Sequence, residues 1–312
     1  MRAADVTVIL PTFNRATALA AVWESYTAAT GVSKIVVVDD GSTDDTPHTI
    51  ERLIKASPIP VELIRHKRRR GQPAARLSGL TATEGHWVLF GEDDVYLAPE
   101  YINVLRLVAD ARGADAIAGR LINVRIDGPF NSSKLPHNDL GQRCDTPFHI
   151  KSFRANFNAD LPGPVSAPFL HSVALIRRSV FDAVTFDTRY RGTAHREDTD
   201  FYIGASRCGF RLLFTSETKC YHLRGALSFT GGNRGKQLNW IRIEFWGLVN
   251  TYLFVRKHWL YLTHRYAFEG TPFRYILTQY ARDRVREFRQ KVLKGRQPGM
   301  WTLFGGPEKG KP

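Results

Sequence analysis

Short apolar runs of strand length alternate with helical segments along the first part of the chain, and this alternation limits the folds open to it. The runs lie at Val6–Leu10, Lys34–Val38, Val61–Ile64 and Trp87–Phe90. Strands that alternate with helices of about ten residues predict βαβ units. Because the runs are nearly continuously apolar, both faces of the sheet should be covered. We therefore expect an α/β fold with a mostly parallel sheet flanked by helices.

The remaining segments complete this prediction. Helices are expected at Ala16–Tyr26, between Ser42 and about Lys55, and at Gln72–Thr81, Pro99–Ala111 and Thr199–Cys208. Strands are expected at Ala116–Val124 and Ser172–Ile176, with two strand ends at Arg211–Phe214 and Lys219–His222.

The start of the second helix carries a capping pattern. Ser42 or Thr43 has a hydroxyl suited to an N-cap, and the acids Asp44 and Asp45 would then fall in the first turn. Both features stabilise a helix N-terminus. We expect this helix to begin directly after the cap.

Positive charge is concentrated in the last part of the chain. Of 312 residues, 44 are Lys or Arg and 30 are Asp or Glu, which gives a net charge of +14. Residues 226–312 hold 16 of these cations and 5 of the acids, so +11 of the excess lies there. Such an excess favours an anionic partner: a nucleotide, a nucleic acid or a phospholipid. We divide the chain at this point, into residues 1–225 and a basic helical region, 226–312.

The basic region is also rich in aromatic residues, among them Trp240, Phe245, Trp246, Tyr252 and Phe254. Trp, Tyr and Arg together suit the interface of a membrane. The alternative is a pair of helices that packs on the first region and leaves its charges solvated. Contact with an anionic membrane surface is one expectation for this region, and packing is the other.

Cysteine content and apolar segments bear on where the protein acts. Cys144, Cys208 and Cys220 have no paired spacing, which argues for a reducing compartment. The N-terminal residues lack the pattern of a secretory signal. The apolar stretch Phe245–Val255 is shorter than the roughly 20 residues a spanning helix needs. We expect a cytoplasmic protein, either free or peripheral on the inner face of the cell membrane.

Polar clusters follow three of the predicted strands. They are Pro11–Arg15, Asp39–Ser42 and Glu92–Asp94. In an open parallel sheet, ligands bind beyond the carboxyl ends of the strands, so these clusters should line one crevice. The first turn has no Gly-x-Gly-x-x-Gly, and the chain has no Gly-x-x-x-x-Gly-Lys-Ser/Thr. The pattern therefore predicts a mononucleotide site that uses acids on the base and the ribose.

The order of these segments resembles glycosyltransferase family 2. The resemblance is carried by Val6–Arg15, Val36–Asp44 and Leu89–Asp94, and it extends over about residues 5–225. It implies a Rossmann-like GT-A catalytic domain. It also implies transfer of a sugar from a nucleotide-sugar donor to a hydroxyl acceptor, with inversion and with help from a metal.

A metal site is implied at the third cluster. Glu92 and Asp94 stand at the two acidic positions of the family's Asp-x-Asp motif, although Glu replaces the first Asp. Hard oxygen ligands on a tight turn suit Mg²⁺ or Mn²⁺ that bridges a diphosphate. Asp94 is the first choice as a ligand, and Glu92 could bind through water. His222 could also approach the metal, or could be structural.

Donor binding is implied at the other strand ends. Asp39 is the first choice for the base edge, ahead of Asp40. UDP is the default nucleotide by family frequency, with GDP and dTDP open. The residues expected to hold the donor are Pro11, Thr12, Asn14, Arg15, Asp39, Asp40, Arg76 and Asp93.

The catalytic acids are implied by the Glu197-Asp198 pair, which resembles the family's Glu-Asp block. The chemistry needs a carboxylate that faces the acceptor hydroxyl, and by resemblance Asp198 is this base. The bland alternative for both residues is an acidic first turn of the following helix.

Two other classes of function remain open from the sequence. A pI near 9.9 fits a nucleic-acid-binding protein, although no such module is present and acids crowd the predicted crevice. A sugar-1-phosphate nucleotidyltransferase would use a similar sheet, but its Gly-rich first turn is missing. We expect a glycan or a lipid-linked glycan as the acceptor, and no nucleic-acid partner. The Gly-rich basic segment Gly231–Lys236 could close over the donor.

Overall fold

A computed structural model describes residues 5–83, 85–225 and 240–293 of the chain. The strands in these ranges are β1 (Val6–Thr12), β2 (Val32–Asp39), β3 (Val61–Arg65), β4 (Trp87–Phe90), β5 (Val95–Leu97), β6 (Ala116–Ile126), β7 (Gln142–Arg143), β8 (Phe148–His149), β9 (Arg154–Ala155), β10 (Ala159–Asp160), β11 (Val165–Ser166), β12 (Leu175–Arg177) and β13 (Leu212–Gly225). The α-helices are α1 (Ala16–Thr27), α2 (Thr46–Lys55), α3 (Gln72–Leu80), α4 (Tyr101–Arg112), α5 (Glu197–Arg207), α6 (Trp240–Tyr266) and α7 (Pro272–Leu293).

The central sheet has the order β11-β13-β6-β12-β4-β1-β2-β3, and β5 pairs with β13. β1 lies between β2 and β4 and runs parallel to both. The long pair β6–β13 is also parallel, whereas β5, β11 and β12 pair antiparallel with their neighbours. The predicted α/β fold with a mostly parallel sheet is confirmed. Its consequence is that the carboxyl ends of β1, β2 and β4 lie side by side.

The two faces of the sheet are covered by different helices. Along β1, Val8 and Leu10 point to a core that contains α1 and α4, and Ile9 points to the opposite core. This alternation follows from the two-residue period of a strand. The second core contains residues of α3, α5 and α6, among them Phe254. Burial on both faces explains why β1, β2 and β4 are nearly continuously apolar.

Two local predictions were wrong. α2 begins at Thr46 with Asp45 as its N-cap, and no side chain makes a capping hydrogen bond there. Ser42 instead connects the loops that follow β1 and β2, because its hydroxyl accepts a hydrogen bond from the backbone N–H of Asn14 at 2.9 Å. The two strand ends expected near residues 211 and 219 form one strand, β13, whose pairing with β6 shifts register between Phe214 and Lys219.

The two C-terminal helices pack on the second core. The ring of Phe254 on α6 lies 4.7 Å from that of Phe153, and Phe268 also contacts Phe153. Asp283 on α7 pairs with Arg154 at 2.7 Å. Packing on the first region is therefore observed for the inner face of these helices. Among the helices that the structure describes, none is long and apolar enough to cross a membrane.

Candidate active site

The loops after β1 and β2 are tied together by hydrogen bonds between their polar side chains. Between the two loops, the side-chain oxygen Oδ1 of Asn14 accepts a hydrogen bond from the backbone N–H of Thr43 at 2.7 Å. Within the second loop, the Asp39 carboxylate accepts a hydrogen bond from the backbone N–H of Ser42 at 2.8 Å. Asn14 itself has φ of 52°, a left-handed conformation that Asn tolerates better than most residues. Gly41 is required in this turn, because its φ is 78° and an added Cβ would lie 2.8 Å from the backbone of Arg68.

The acidic turn after β4 is fixed in place by contacts with α1. The Tyr26 hydroxyl on α1 donates to the carbonyl of Glu92 and accepts from its N–H, both at 3.0 Å. Gly91 packs against Tyr26 and Leu10 so closely that a Cβ would lie under 3 Å from both side chains. The turn is thus pressed against the end of α1. Nothing in the sequence pattern indicated the role of Tyr26.

The side chains of this turn meet the end of β1. Thr12 Oγ1 donates to the Asp93 carboxylate at 2.8 Å, and Arg15 Nη1 lies 2.9 Å from Asp93 Oδ1 and 2.8 Å from Asp94 Oδ2. Burial raises the pKa of Asp93 to about 6, against the opposing effect of Arg15. Arg15 thus holds two adjacent acids at the floor of the crevice.

Three side chains in the crevice could hold a metal ion. Glu92, Asp94 and His222 each offer one ligand atom, and these atoms lie within 4.8 Å of one another. β13 brings His222 to this place, since its neighbour Leu223 donates a backbone hydrogen bond to Asp94. Two carboxylate oxygens and one imidazole nitrogen form a donor set that suits Mn²⁺. The residues present therefore fit a divalent cation.

Charges in this trio are unequal. Burial alone would raise the pKa of Asp94, but His222 and Arg15 hold it well below its usual range. Burial and the charge of Asp94 raise the pKa of Glu92, while His222 and Arg76 oppose this effect. Asp94 therefore carries its charge more readily than Glu92 does. This difference agrees with Asp94 as the first-choice metal ligand.

The crevice also contains Asp40, whose carboxylate organises the loop before α3. It accepts from the backbone N–H groups of Arg70 and Gly71, both at 2.8 Å, and lies 2.7 Å from His66 Nδ1. Asp40 lines the crevice, whereas Asp39 is fully buried beneath it and lies 3.2 Å from Arg65 Nε. The structure thus places the second of these acids, and not the first, at the surface of the cleft.

Six residues that line the cleft were not predicted as site residues, and four of them have large or polar side chains: Phe13, Arg69, Gln72 and Thr193. The Arg69 guanidinium lies over the Phe13 ring, 4.3 Å from its centroid. Phe13 could have been found, because it lies inside the first strand-end cluster and is aromatic. Arg69 and Thr193 belong to loops and Gln72 begins α3, and the approach of all three to the cleft depends on the tertiary structure.

Glu197 and Asp198 form the first turn of α5. Arg196, the residue before them, has a left-handed φ of 78°. The guanidinium of Arg76 contacts Asp198 Oδ1 and lies 3.3 Å from Glu197 Oε1 and 3.8 Å from Glu92 Oε1. Arg76 is completely buried against the rings of Phe90 and Phe186, and it was expected to bind the donor. Its guanidinium instead joins the two catalytic candidates to the acidic turn.

The two acids of the pair differ in exposure and in charge. Glu197 is buried, and burial together with the charge of Asp198 raises its pKa to about 8, against the effect of Arg76. The protonated form of Glu197 is therefore favoured at neutral pH, which makes it a poor base. The Asp198 side chain is 31% exposed and can be reached by a substrate. Of the pair, Asp198 has the geometry of a general base.

Side chains of α6 form hydrogen bonds with two elements next to the cleft, the loop that carries Thr193 and helix α5. The Asn250 amide accepts from the backbone of Arg191 and donates to its carbonyl, at 3.3 and 2.8 Å, in the loop that carries Thr193. His258 Nε2 lies 2.8 Å from Asp200 Oδ1 on α5. These contacts join residues 58 and 59 positions apart, and no local motif indicated them.

Of the thirteen predicted site residues, eight surround the cleft as a group. The cleft is lined by Pro11, Thr12, Arg15, Asp40, Glu92, Asp93, Asp94 and His222. Arg76, Glu197 and Asp198 adjoin it through the contacts with Glu92 described above. Asn14 and Asp39 are engaged in the loops that shape it. The Gly231–Lys236 segment lies outside the described residues.

Comparison with known families decides the class of this site. A family model, Glycosyl transferase family 2, matches residues 7–185, more than half of the chain. The chain belongs to glycosyltransferase family 2. The matched range contains both strand-end clusters and the acidic turn, and it ends before the Glu197-Asp198 pair.

Curated relatives are similar over part of their length. The succinoglycan biosynthesis protein ExoO of Rhizobium meliloti is 36% identical over 126 residues, which cover 40% of this chain and 35% of that protein. An undecaprenyl-phosphate 4-deoxy-4-formamido-L-arabinose transferase of Pseudomonas fluorescens is 30% identical over 129 residues, or 40% of this chain and 38% of that one. The alignments thus span well under half of these two relatives.

Solved structures of other proteins share the fold. The mannosyltransferase PcManGT from Pyrobaculum calidifontis, in complex with GDP-Man and Mn²⁺, gives a TM-score of 0.54 at 17% identity and covers 90% of this chain and 70% of that one. TarS residues 1–349 from S. aureus, in complex with UDP-GlcNAc, gives 0.53 at 15% identity, with 84% and 74% covered. At these identities the likeness shows the fold alone.

Proposed function

We propose that this family 2 glycosyltransferase moves a sugar from a nucleoside-diphosphate sugar to a hydroxyl acceptor, with inversion and with metal assistance. The observation that carries the proposal is the arrangement around Arg76. One buried guanidinium contacts both the exposed carboxylate of Asp198 and the acidic turn at Glu92. A proton acceptor and a diphosphate site are therefore adjacent, as a displacement reaction requires.

The donor lies along the edge formed by β1, β2 and β4 in this proposal. Its base stacks on Phe13, and the ribose end lies near Thr12 and Asp40. Pro11 and Arg15 complete this wall of the cleft. Arg15 also offsets the charges of Asp93 and Asp94 and keeps this acid-rich floor compatible with a bound anion.

Asp94, Glu92 and His222 are the residues that would hold a divalent cation. When bound, the cation supplies positive charge to the departing nucleoside diphosphate. Asp94 contributes a charged oxygen, and His222 contributes Nε2, which lies 3.4 Å from Asp94 Oδ2. Glu92, whose charge is less favoured, completes the set.

Asp198 acts on the acceptor in the same proposal. It takes the proton from the acceptor hydroxyl while that oxygen forms its bond to the anomeric carbon and the bond to the diphosphate breaks. A single displacement of this kind inverts the anomeric centre. Arg76 orients the Asp198 carboxylate, and protonated Glu197 does not compete for the proton.

For the nucleotide and the acceptor, relatives supply the support. Fold neighbours were solved with UDP-GlcNAc and with GDP-Man, and UDP is our default. One curated relative is named for undecaprenyl phosphate and another for succinoglycan. We propose a glycan or a lipid-linked glycan as the acceptor. Family membership favours this reading over a nucleic-acid-binding protein or a nucleotidyltransferase.

A panel of nucleotide sugars tests the proposal directly. The purified chain is incubated with UDP-, GDP- and dTDP-sugars and MnCl₂, and release of the nucleoside diphosphate is measured. We expect one nucleotide class to be hydrolysed slowly, and chelation of the metal to stop the reaction. Asp182→Asn, which changes an exposed acid that pairs with Arg178 away from the cleft, is the matched control and should retain activity. Failure to bind or hydrolyse any member of the panel would contradict the proposal.

A further inference from the structure

Large apolar side chains are exposed mainly on the two C-terminal helices. Of the twelve that are exposed within the described residues, nine lie on α6 and α7. Leu260 is 76% exposed, Phe273 is 64% exposed and Phe245 is 56% exposed. An exposed apolar area of this kind marks an interaction surface.

On α6 these side chains lie on one face. Phe245, Leu248, Val249, Tyr252 and Leu260 are spaced by three, four or seven to eight residues, which places them along one side of a helix. The opposite side carries Phe254, Val255, His258 and Leu262, which are buried against the second core. We call the exposed side the outer face of α6. It is distinct from the inner face that holds the site.

Cations accompany the apolar residues on the outer face. Arg242 and Arg256 are exposed there, in helical register with Phe245 and Leu260. In the described part of α6 the acidic residue is Glu244, and it is half-buried and paired with Arg284 of α7 at 3.0 Å. The outer face thus combines large apolar side chains with positive charge.

We propose that the outer face of α6, together with the exposed apolar side chains of α7, rests on an anionic lipid surface. Apolar residues between cations on a helix that lies flat are what the boundary of a bilayer accepts. The charge of the region identifies the partner, because residues 226–312 carry +11. Two copies of this chain would bring like charges together, whereas anionic headgroups offset them.

Sedimentation of the full chain with lipid vesicles tests this inference. We expect the protein to pellet with vesicles that contain phosphatidylglycerol, to stay in the supernatant with pure phosphatidylcholine, and to be released by salt. The measurement needs neither donor nor acceptor, so it does not depend on the proposed glycosyl transfer.

Three variants separate the contributions. Arg242→Gln with Arg256→Gln should weaken binding about 25-fold, since each cation near an anionic surface contributes about fivefold. Phe245→Gln with Tyr252→Gln and Leu260→Gln should weaken binding at least tenfold. Leu107→Gln with Leu140→Gln changes exposed apolar residues elsewhere and is the matched control. Circular dichroism of each variant checks that the fold is retained.

Two results would overturn the inference. One is wild-type protein that stays in the supernatant with anionic vesicles at low salt. The other is a control variant that loses as much binding as the α6 variants do. If light scattering shows instead a dimer that the α6 apolar variant dissociates, and no vesicle binding is seen, the outer face belongs to a second copy of the chain.

Discussion

The proposed donor side and the proposed acceptor side of the site are built in different ways. On the donor side, the key groups follow β1, β2 and β4 as short runs of consecutive residues, and the backbone of three adjacent strands fixes their positions. On the acceptor side, Asp198 depends on Arg76, which is 122 residues away, and α5 is tied to α6 through buried side chains. We therefore expect the first arrangement to tolerate changes in distant parts of the chain better than the second.

This contrast predicts where substitutions act. Changes on the donor side should alter affinity for the nucleotide sugar and leave the fold intact. Changes on the acceptor side should alter turnover or stability and leave donor affinity intact. Four substitutions test this division, and they follow in order of decreasing effect.

The largest effect is expected for Asp198→Asn. The amide cannot accept the acceptor's proton, so transfer should fall by roughly 10²–10⁴-fold, the usual size of a general-base contribution. Donor affinity, measured by calorimetry, should stay at the wild-type value. Turnover close to that of the wild type would remove Asp198 from the base role, and a matching loss of donor affinity would break the division between the two sides.

The second-largest effect is expected for Asp94→Asn on the proposed donor side. Loss of an outer-shell partner of a bound metal typically lowers metal affinity or activity 10–100-fold. Loss of a direct ligand should therefore weaken Mn²⁺-dependent donor binding by at least this factor. Glu92→Gln should have a smaller effect, because the charge of Glu92 is less favoured. Calorimetry with and without Mn²⁺ measures both. Equal donor affinity in Asp94→Asn and the wild type would contradict the assignment of the metal site.

The same contrast explains what the sequence could predict. The sheet and the strand-end clusters were predicted because apolar runs and their following polar residues are local patterns. The long acceptor-side contacts were not, because pairs such as Asn250 with Arg191 are set by packing between α6 and a loop. Arg76 was predicted to bind the donor, but its burial against two aromatic rings, and its contacts with Asp198 and Glu92, depend on elements far apart in the chain.

The predictions of the α2 cap and of the strand ends near residues 211 and 219 were wrong for a related reason. The Ser42 hydroxyl could serve α2 or the end of β1, and the tertiary structure uses it at β1. A break in the β13 pattern was interpreted as two strand ends, although its cause is a register shift against β6. Local sequence preference shows which hydrogen bonds and conformations are open to a residue. Contacts with neighbouring strands and loops determine which of these the residue adopts.

The third prediction concerns the tie between α5 and α6. In Asp200→Asn, Lys257 and His258 lose a charged partner that is 1% exposed and lies 2.7 and 2.8 Å from them. We expect the free energy of unfolding to fall by about 1–3 kcal/mol, because the amide keeps a single acceptor oxygen and leaves one of the two partners without its hydrogen bond. Denaturant unfolding followed by tryptophan fluorescence measures the change.

A matched variant sharpens this third test. Asp283→Asn removes a partly exposed pair between α7 and Arg154, and pairs of this kind contribute up to about 1 kcal/mol. Its unfolding midpoint should therefore lie between those of the wild type and Asp200→Asn. If both variants unfold at the same denaturant concentration, the buried network does not hold the C-terminal helices in place.

The smallest effect is expected for Phe13→Leu, at the nucleoside end of the donor side. Stacking of a base on an aromatic ring contributes about 1–3 kcal/mol, and Leu retains part of the apolar contact, so affinity should fall roughly five- to tenfold. Nucleoside diphosphate and inorganic pyrophosphate are compared by calorimetry in the presence of Mn²⁺. Only the nucleoside diphosphate should bind more weakly, because pyrophosphate has no base to stack. Equal losses for the two ligands would show that Phe13 shapes the diphosphate site, and unchanged affinity for both would remove it from base recognition.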